Sequence, residues 1–177
     1  MCKQCETNPV YEFTNQRKLC KNCFVHWFEK KFLYTIRKFK MVFKGDIIGY
    51  ENKKDFRTVV LINLLKMFVE KAPIKLSSKR FNKKALAYTT DIMSKKILDS
   101  LVKGDFKKMF KPVEKGIILP LYLFLDTEVL IYARLKGLKF NKIKKENDKW
   151  FDFIEDLEKK HPEIKRGIIN SYLELYS

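Results

Sequence analysis

Cysteine is missing from most of this chain. The sequence has 177 residues, and its four cysteines all lie near the start, at Cys2, Cys5, Cys20 and Cys23. This clustering excludes a disulfide framework spread over the fold, because such a framework needs cysteines along the whole chain. It indicates one local role for the four thiols.

Features of membrane and secreted proteins are missing too. No apolar run reaches the roughly 20 residues that span a bilayer, and the opening M-C-K-Q-C-E is polar, unlike a secretion signal. We therefore expect a cytoplasmic protein with no membrane partner. Hydrophobic residues still make up 46% of the chain, which is enough for the core of one ordinary domain with a small appendage.

Glycine is missing from a turn where its presence would be informative. Residues 51–56 read E-N-K-K-D-F and separate a short apolar run from an apolar helical stretch. A strand, a turn and a helix in this order form a common phosphate-binding layout, in which glycines let backbone N–H groups approach the phosphate. The turn is therefore either an ordinary surface loop or a nucleotide site that has lost its chemistry.

Acidic residues are too few to balance the basic ones. The chain has 38 Lys and Arg against 21 Asp and Glu, a net charge of +17. Such a surplus favours polyanion partners, because each neutralised phosphate releases counterions. The alternative is a lysine-rich proteome with solvated basic faces.

Short apolar runs that alternate with amphipathic stretches indicate the fold class. We predict strands near 47–50, 74–76, 85–89 and 116–121, and helices near 22–40, 55–70, 91–102, 126–136, 148–160 and 162–176. This order predicts an α/β domain with a parallel sheet and C-terminal helices. Asp55 is the expected N-cap of the second helix. The expected units are 1–24, a connecting basic helix at 25–42, and the α/β domain at 43–177.

The four cysteines form two C-x-x-C pairs separated by fourteen residues. Each pair can bring two sulfurs to one side of a tetrahedral ion, and a hairpin near 11–18 would close the site. This spacing predicts a zinc ribbon whose closed four-thiolate site is structural. Two disulfides, a redox pair and bound iron are the alternatives. His26 is a less favoured ligand, because four thiolates already suffice.

Four segments in order along the chain resemble the tRNA 2-thiouridine synthases of archaea, some bacteria and the eukaryotic cytosol. They are C-K-Q-C…L-C-K-N-C-F-V-H-W-F-E-K-K-F…I-R-K-F (2–39), L-D-S-L-V-K-G-D (98–105), L-P-L…E-V-L-I-Y-A-R-L-K-G-L (119–138) and D-F-I-E-D-L-E-K-K-H-P-E-I-K…I-I-N-S-Y (152–172). These synthases are adenylating enzymes of the pyrophosphatase-loop group. The resemblance implies an adenine-nucleotide-hydrolase-like parallel sheet after an N-terminal zinc ribbon.

The chain departs from this family at the residues that perform its chemistry. The family's S-G-G-K-D-S loop falls on residues 51–56, where only Lys54 and Asp55 keep the charged positions. The family's later G-H-N-x-D-D-E falls on residues 87–93, where only Asp91 survives. These three residues are the expected remnants of a degenerate nucleotide site.

Two further departures concern cysteine and length. The central cysteines that hold the family's iron–sulfur cluster or carry its sulfur have no counterpart, and the second zinc ribbon is absent from the sequence. The chain is also shorter, and the resemblance places the deletion between Glu70 and Lys84. These departures imply loss of activity, whereas coincidental sharing of an α/β architecture is the competing interpretation.

Basic residues in two segments are the expected contacts to RNA phosphates. They are Lys30, Lys31, Arg37, Lys38 and Lys40 on the first helix, and Lys79, Arg80, Lys83 and Lys84 in the loop after the second strand. Such contacts set affinity and orientation. Single-stranded RNA also needs exposed aromatic rings for stacking, and Tyr11, Phe13 and Trp27 are the candidates.

Three functional hypotheses follow. The first is an inactive relative of the thiouridine synthases that binds tRNA and supports an active paralogue, or acts as a homo-oligomer. The second is a zinc-stabilised module that joins another nucleic-acid or ribonucleoprotein assembly. The third, weaker hypothesis retains ATP-dependent tRNA thiolation, with ATP held by Lys54, Asp55 and Asp91.

Overall fold

A small cysteine-bearing hairpin precedes an α/β domain. The computed structural model describes residues 1–105, 111–143 and 149–176. The strands are β1 (Tyr11–Glu12), β2 (Lys18–Leu19), β3 (Ile47–Tyr50), β4 (Lys75–Leu76), β5 (Lys83–Ala85), β6 (Val113–Glu114) and β7 (Ile117–Ile118). The helices are α1 (Lys21–Lys38), α2 (Phe56–Val69), α3 (Thr90–Val102), α4 (Asp126–Leu135), α5 (Lys149–Lys160) and α6 (Ile164–Tyr176). This order confirms the predicted α/β class.

Five strands form one sheet in the order β4-β3-β5-β7-β6. The first four of these run parallel, as predicted, and β6 pairs antiparallel with β7 at one edge. The sequence does not predict β6, because each arm of this hairpin has only two residues. Its turn consists of Lys115 and Gly116, whose φ angles are 47° and 78°. Two positive φ angles in succession suit the twist of a two-residue hairpin turn.

Two predicted strands differ from the observed ones. The third is β5, which ends at Ala85 rather than continuing to Thr89. The fourth is β7, which ends at Ile118, although Leu121 and Phe124 beyond it are fully buried. Apolar runs in both places are explained by burial of the loops that follow the strands, so composition alone overestimates strand length.

Helices cover the two faces of the sheet unequally. The larger core joins Ile48, Ala85 and Ile118 of the sheet to α1, α2 and α4. The smaller core lies on the opposite face, where Leu86 and Leu119 contact α3 and α6. Side chains alternate between faces along a strand, so Lys84 and Ile117 share this face with Leu86 and Leu119. Of these four residues, the helices contact Leu86 and Leu119, which lie at the carboxyl ends of their strands.

The connection from β4 to β5 lacks a helix. Both strands are parallel to β3 and lie on either side of it, yet only residues 77–82 join them. Parallel neighbours are usually connected by a crossover of a dozen or more residues. The loop crosses the face towards which a side chain at Gly49 would point, and the Phe81 ring fills that position. Phe81 therefore covers the sheet where the helix is missing.

Glu128 is a buried carboxylate that joins three helices. It lies in the first turn of α4 and is 0% exposed. It accepts hydrogen bonds from Lys31 Nζ of α1 at 2.9 Å and from Arg166 Nη2 of α6 at 2.7 Å. Burial lowers the pKa of Lys31 below its ordinary value, although Glu128 opposes this shift. Glu128 is thus out of water, Lys31 and Arg166 are mostly shielded from it, and the three charges depend on one another.

The hairpin is part of the same core. Cys2, Leu19 and Cys20 are buried in the larger cluster together with Ile48 of the sheet. Thr14 also donates a hydrogen bond to Glu163, next to α6. The division at residues 24 and 42 remains a prediction. Within the described ranges, no helix combines the length and apolarity needed to span a bilayer.

Substitution Glu128→Gln should destabilise the protein by about 3–5 kcal/mol. The amide keeps the side-chain volume but leaves Lys31 as a buried charge without its carboxylate, and loss of one partner of a buried ion pair costs this much. Urea denaturation followed by circular dichroism measures the change.

The matched control is Glu12→Gln, which removes a carboxylate that pairs with Lys18 at the surface. Its unfolding midpoint should stay close to that of the unmodified chain. Equal losses of stability in the two variants would contradict the idea that burial makes the ion pairs of Glu128 important.

Candidate functional site

Four cysteine sulfurs converge where the hairpin meets α1. Cys2 and Cys5 lie in the first turn of the chain, and Cys20 and Cys23 follow β2 at the start of α1. The four Sγ atoms all lie within 4.8 Å of one another, with Cys5 3.3 Å from Cys20 and 3.6 Å from Cys23. Tetrahedral coordination at about 2.3 Å places sulfurs roughly 3.8 Å apart. The group therefore fits one metal ion.

The thiols of the cluster differ in their pKa values. A hydrogen bond from Thr7, followed by one from the backbone of Cys23, lowers the pKa of Cys20 to about 6, whereas burial, followed by hydrogen bonds with the neighbouring cysteines, raises the pKa of Cys23 to about 12. The thiolate is the form that binds a metal. All four cysteines are free, which does not support the disulfide alternative. His26 is exposed on α1 and is not part of the group.

Three helices begin at one edge of the sheet. α2, α3 and α4 follow β3, β5 and β7, so their N-termini meet at the carboxyl ends of the strands. The chain leaves β3 towards β4 on one side and leaves β5 towards β7 on the other, so the gap between β3 and β5 is a topological switch point. Open α/β sheets bind ligands there, and helix N-termini favour anions.

Carboxylates of the chain already engage these helix N-termini. Asp55 caps α2 as predicted, because its Oδ1 accepts from the N–H of Thr58 at 2.9 Å. Asp91, in the first turn of α3, accepts from the N–H of Asp126 at the start of α4 at 2.7 Å. Two of the N–H groups that a phosphate could use are therefore bonded internally.

The turn at residues 51–55 is also closed by its own groups. Asn52 Oδ1 accepts from the N–H of Lys54 at 3.0 Å, and the Lys54 carbonyl accepts from Asn141 at 2.7 Å. Lys54 has a φ of 58°, a conformation that favours glycine. Glu51 pairs with Lys84 beside the turn. Lys54 itself is exposed.

Two cations that the sequence analysis does not single out neutralise the carboxylates at this edge. Arg57 of α2 binds Asp126 through both Nε and Nη2, and Thr89 donates to the same carboxylate at 2.7 Å. Lys165 of α6 lies 2.7 Å from Asp91, and both side chains are only 9% exposed. Lys165 is far from this edge in sequence, so no local pattern could reveal it.

Asp91, one of the three expected remnants of the nucleotide site, therefore has an internal partner. Burial, reinforced by repulsion from Asp126, raises the pKa of Asp91, whereas Lys165 opposes the shift. Glu158 also pairs with Lys165, at 2.6 Å. The three expected remnants, Lys54, Asp55 and Asp91, lie at one edge of the sheet, but the two carboxylates serve capping and ion pairing.

Seven of the nine expected phosphate contacts remain accessible. Exposed cations are Lys30, Arg37, Lys38 and Lys40 on or just after α1, and Lys79 and Arg80 in the loop; Lys84 is partly exposed and pairs with Glu51.

Lys31 and Lys83 are corrections to the expected set. Lys31 contacts Glu128 and lies over the rings of Trp27 and Phe124. Lys83 binds Asp46 at 2.8 Å and the Met41 carbonyl at 2.9 Å. Both cations serve interior ion pairs, so neither is available to a phosphate.

The expected stacking residues are half-buried and pack against the larger core. Tyr11, Phe13 and Trp27 contact one another edge-on or in parallel. Among the described residues, the exposed rings include Tyr34 (52%), Phe43 (59%), Phe81 (42%) and Phe153 (50%), and Tyr34 and Phe81 lie next to expected phosphate contacts. Helical spacing could identify Tyr34, since it lies opposite the buried stripe of α1; no sequence signal identifies Phe81.

Substitution Cys20→Ser should abolish stoichiometric metal binding, because it removes one of four ligands from the cluster. We expect one metal ion per chain in the unmodified protein, measured by inductively coupled plasma mass spectrometry after gel filtration. Because metal binding contributes folding free energy, the variant should also melt at a lower temperature.

His26→Ala is the matched control and should keep one ion per chain. Loss of the metal in this variant would contradict the four-thiolate site, and so would full metal content in Cys20→Ser.

Comparison with known proteins finds a similar fold among solved structures but no similar sequence. No model of a known protein family matches the chain, and no curated protein matches it in sequence. Among solved structures, the U34-tRNA thiolase NcsA from Methanococcus maripaludis, determined with its 4Fe–4S cluster, is similar with a TM-score of 0.82. The match covers 98% of this chain and 86% of that chain at 16% identity. The chain therefore shares the fold of this tRNA thiolase.

Proposed function

We propose that this chain is a catalytically inactive protein of the tRNA 2-thiolation family that binds tRNA in the cytoplasm. One observation carries the proposal. The fold is similar to that of a U34-tRNA thiolase, but side chains of the chain itself bind the helix N-termini at the carboxyl edge of the sheet. The ordered resemblance of four sequence segments supports the same assignment. We propose that the chain binds tRNA but does not adenylate it.

Loss of adenylation follows from charge and space. A triphosphate entering the turn would meet Glu51 and Asp55, and it would have to displace Asn52 and Asp55 from the N–H groups of Lys54 and Thr58. A magnesium ion would compete with Lys165 for Asp91 and with Arg57 for Asp126. Both internal pairs are mostly buried, so displacement would leave charges without partners.

We assign zinc to the four cysteines. Four thiolates at tetrahedral spacing with no open position suit a structural zinc ion. A cubic iron–sulfur cluster would hold its cysteines at the corners of a larger tetrahedron than a single ion does. The spacing within 4.8 Å favours the mononuclear site, and zinc keeps the hairpin docked against the core.

The exposed face of α1 is the proposed main contact to RNA. Lys30, Tyr34 and Lys38 follow one another at intervals of four residues, and Lys38 Nζ lies 5.9 Å from the Tyr34 ring centroid. Arg37 and Lys40 extend this basic surface towards the end of the helix. An aromatic ring between cations can contact a base or ribose while the cations bind phosphates.

An active paralogue is the proposed protein partner, since a chain that binds tRNA without modifying it needs a catalytic subunit. A homo-oligomer is the alternative. Gel filtration of the purified chain with and without tRNA separates the two arrangements.

Addition of ATP with magnesium should leave the melting temperature unchanged, because the phosphate-binding groups are occupied. Differential scanning fluorimetry up to millimolar ATP measures this. A ligand at about 100 times its dissociation constant stabilises by about 2.7 kcal/mol, so true binding would raise the melting temperature by several degrees. A rise that Arg57→Met abolishes would establish a working nucleotide site and overturn the proposed inactivity.

A tRNA transcript should bind with affinity that falls steeply with salt, with a slope of about −0.7 to −0.9 for each phosphate neutralised. Replacement of Lys30, Arg37 and Lys38 by alanine should weaken binding and reduce the slope by about 2–3. Fluorescence anisotropy at several salt concentrations measures both quantities.

The control removes three exposed cations elsewhere on the surface: Lys103, just after α3, and Lys159 and Lys160 at the end of α5. The change in net charge is the same, so only the position of the charge differs. Equal losses in both triple variants, or salt-independent binding, would contradict the proposed surface and favour a zinc-stabilised module with another partner.

A further inference from the structure

Phe81 lies flat on the sheet above Gly49. A Cβ atom built on Gly49 would lie 2.4, 2.3 and 2.7 Å from Cγ, Cδ1 and Cε1 of the Phe81 ring. A Cβ that approached the ring edge would be close to one atom and clearly farther from its neighbours. The nearly equal distances therefore mean that the ring packs face-on against Gly49, and its other face points away from the sheet.

The loop that presents this ring is fastened at both ends. Ser77 donates its N–H to the carbonyl of Ile48 at 3.0 Å, and Ser77 Oγ accepts from the N–H groups of Lys79 and Arg80. On the other side, Asn82 Oδ1 accepts from the N–H of Ile47 at 2.8 Å. The ring is thus held in place before any ligand arrives, which reduces the entropy cost of binding.

The surface around the ring is open. Register places Lys84 beside Gly49 and Ile117 beside Lys84 on the same face. Ile117 is 40% exposed, and helices α3 and α6 contact this face farther along, at Leu86 and Leu119. The second face of the Phe81 ring consequently meets solvent.

Cations border the ring on several sides. Lys79 and Arg80 precede Phe81 and are exposed, and Lys84 lies on the same face of the sheet. The β6–β7 turn approaches the loop, since a Cβ on Gly116 would lie 3.3 Å from the Asn82 carbonyl oxygen. Lys115 of that turn is exposed, with 88% of its side chain accessible. So much positive charge repels a second copy of this chain and favours an anion.

We propose that Phe81 is a stacking platform for a base of single-stranded RNA, with Lys79, Arg80 and Lys115 contacting the flanking phosphates. An open aromatic face on a sheet, bordered by cations, is the combination that binds unpaired nucleotides. The proposal rests on the RNA-binding function proposed above and adds a second contact, separate from the face of α1.

Binding of a fluorescein-labelled uridine octamer tests this platform. Phe81→Leu should weaken octamer binding about 5- to 150-fold, the range expected for one base stacked on an aromatic ring. The salt slope should stay unchanged, because no cation is removed. Phe81→Trp should retain affinity, since it keeps an aromatic face. Circular dichroism and thermal melting confirm that each variant is folded.

Phe43→Leu is the matched control. Phe43 is 59% exposed, but it lies beside Lys83, whose side chain points to the opposite face of the sheet. Its replacement should leave octamer binding unchanged. Equal effects at both positions, or no effect of Phe81→Leu while tRNA still binds, would overturn the stacking platform alone. Failure to bind both tRNA and the octamer would overturn the RNA-binding function as well.

Discussion

The positive ends of three helices meet at one edge of the sheet, and the fold depends on the negative charge that balances them. The chain supplies this charge through Asp55, Asp91, Asp126 and Glu128. Each buried carboxylate then needs a cation, and the cations come from elements that must dock for this purpose: Arg57 from α2, Lys31 from α1, and Lys165 and Arg166 from α6. The ion pairs that close the ligand edge are therefore the ones that hold α1 and α6 in place.

This coupling explains how a sheet can keep its frame after its ligand edge is filled. In a nucleotide-binding sheet, the ligand supplies the negative charge at the helix N-termini; here the side chains of Asp55 and Asp91 supply it. With its own carboxylates at these positions, the sheet needs no ligand at that edge to balance the helix N-termini. Positive charge is left on surfaces that do not face the edge, namely the outer face of α1 and the loop around Phe81. RNA binding without adenylation is consistent with this separation.

The sequence predicts correctly those elements that are set by residues close to one another along the chain. The strand 47–50 and the Asp55 cap are of this kind. The β6–β7 hairpin was missed because its two-residue arms show no periodicity. The prediction of Lys31 as an RNA contact rests on its charge alone. Its position along α1 points the other way, since Lys31 follows Phe28 by three residues and Trp27 by four, the spacing of the buried stripe. Lys165 could not be foreseen, since its pairing with Asp91 depends on how α6 docks against α3.

The cysteine cluster belongs to the same network through the hairpin that it closes. Burial and the nearby Glu128 raise the pKa of Tyr11 to about 12, while Arg166 opposes this shift. Tyr11 and Thr14, both between the two cysteine pairs, therefore contact the region where α6 meets α4. A metal ion that fixes the hairpin also fixes one wall around Glu128, because the ion pair with Arg166 is strong only where water is excluded. A metal ion bound by the four cysteines would thus support the docking of α6, and α6 carries the lysine that pairs with Asp91.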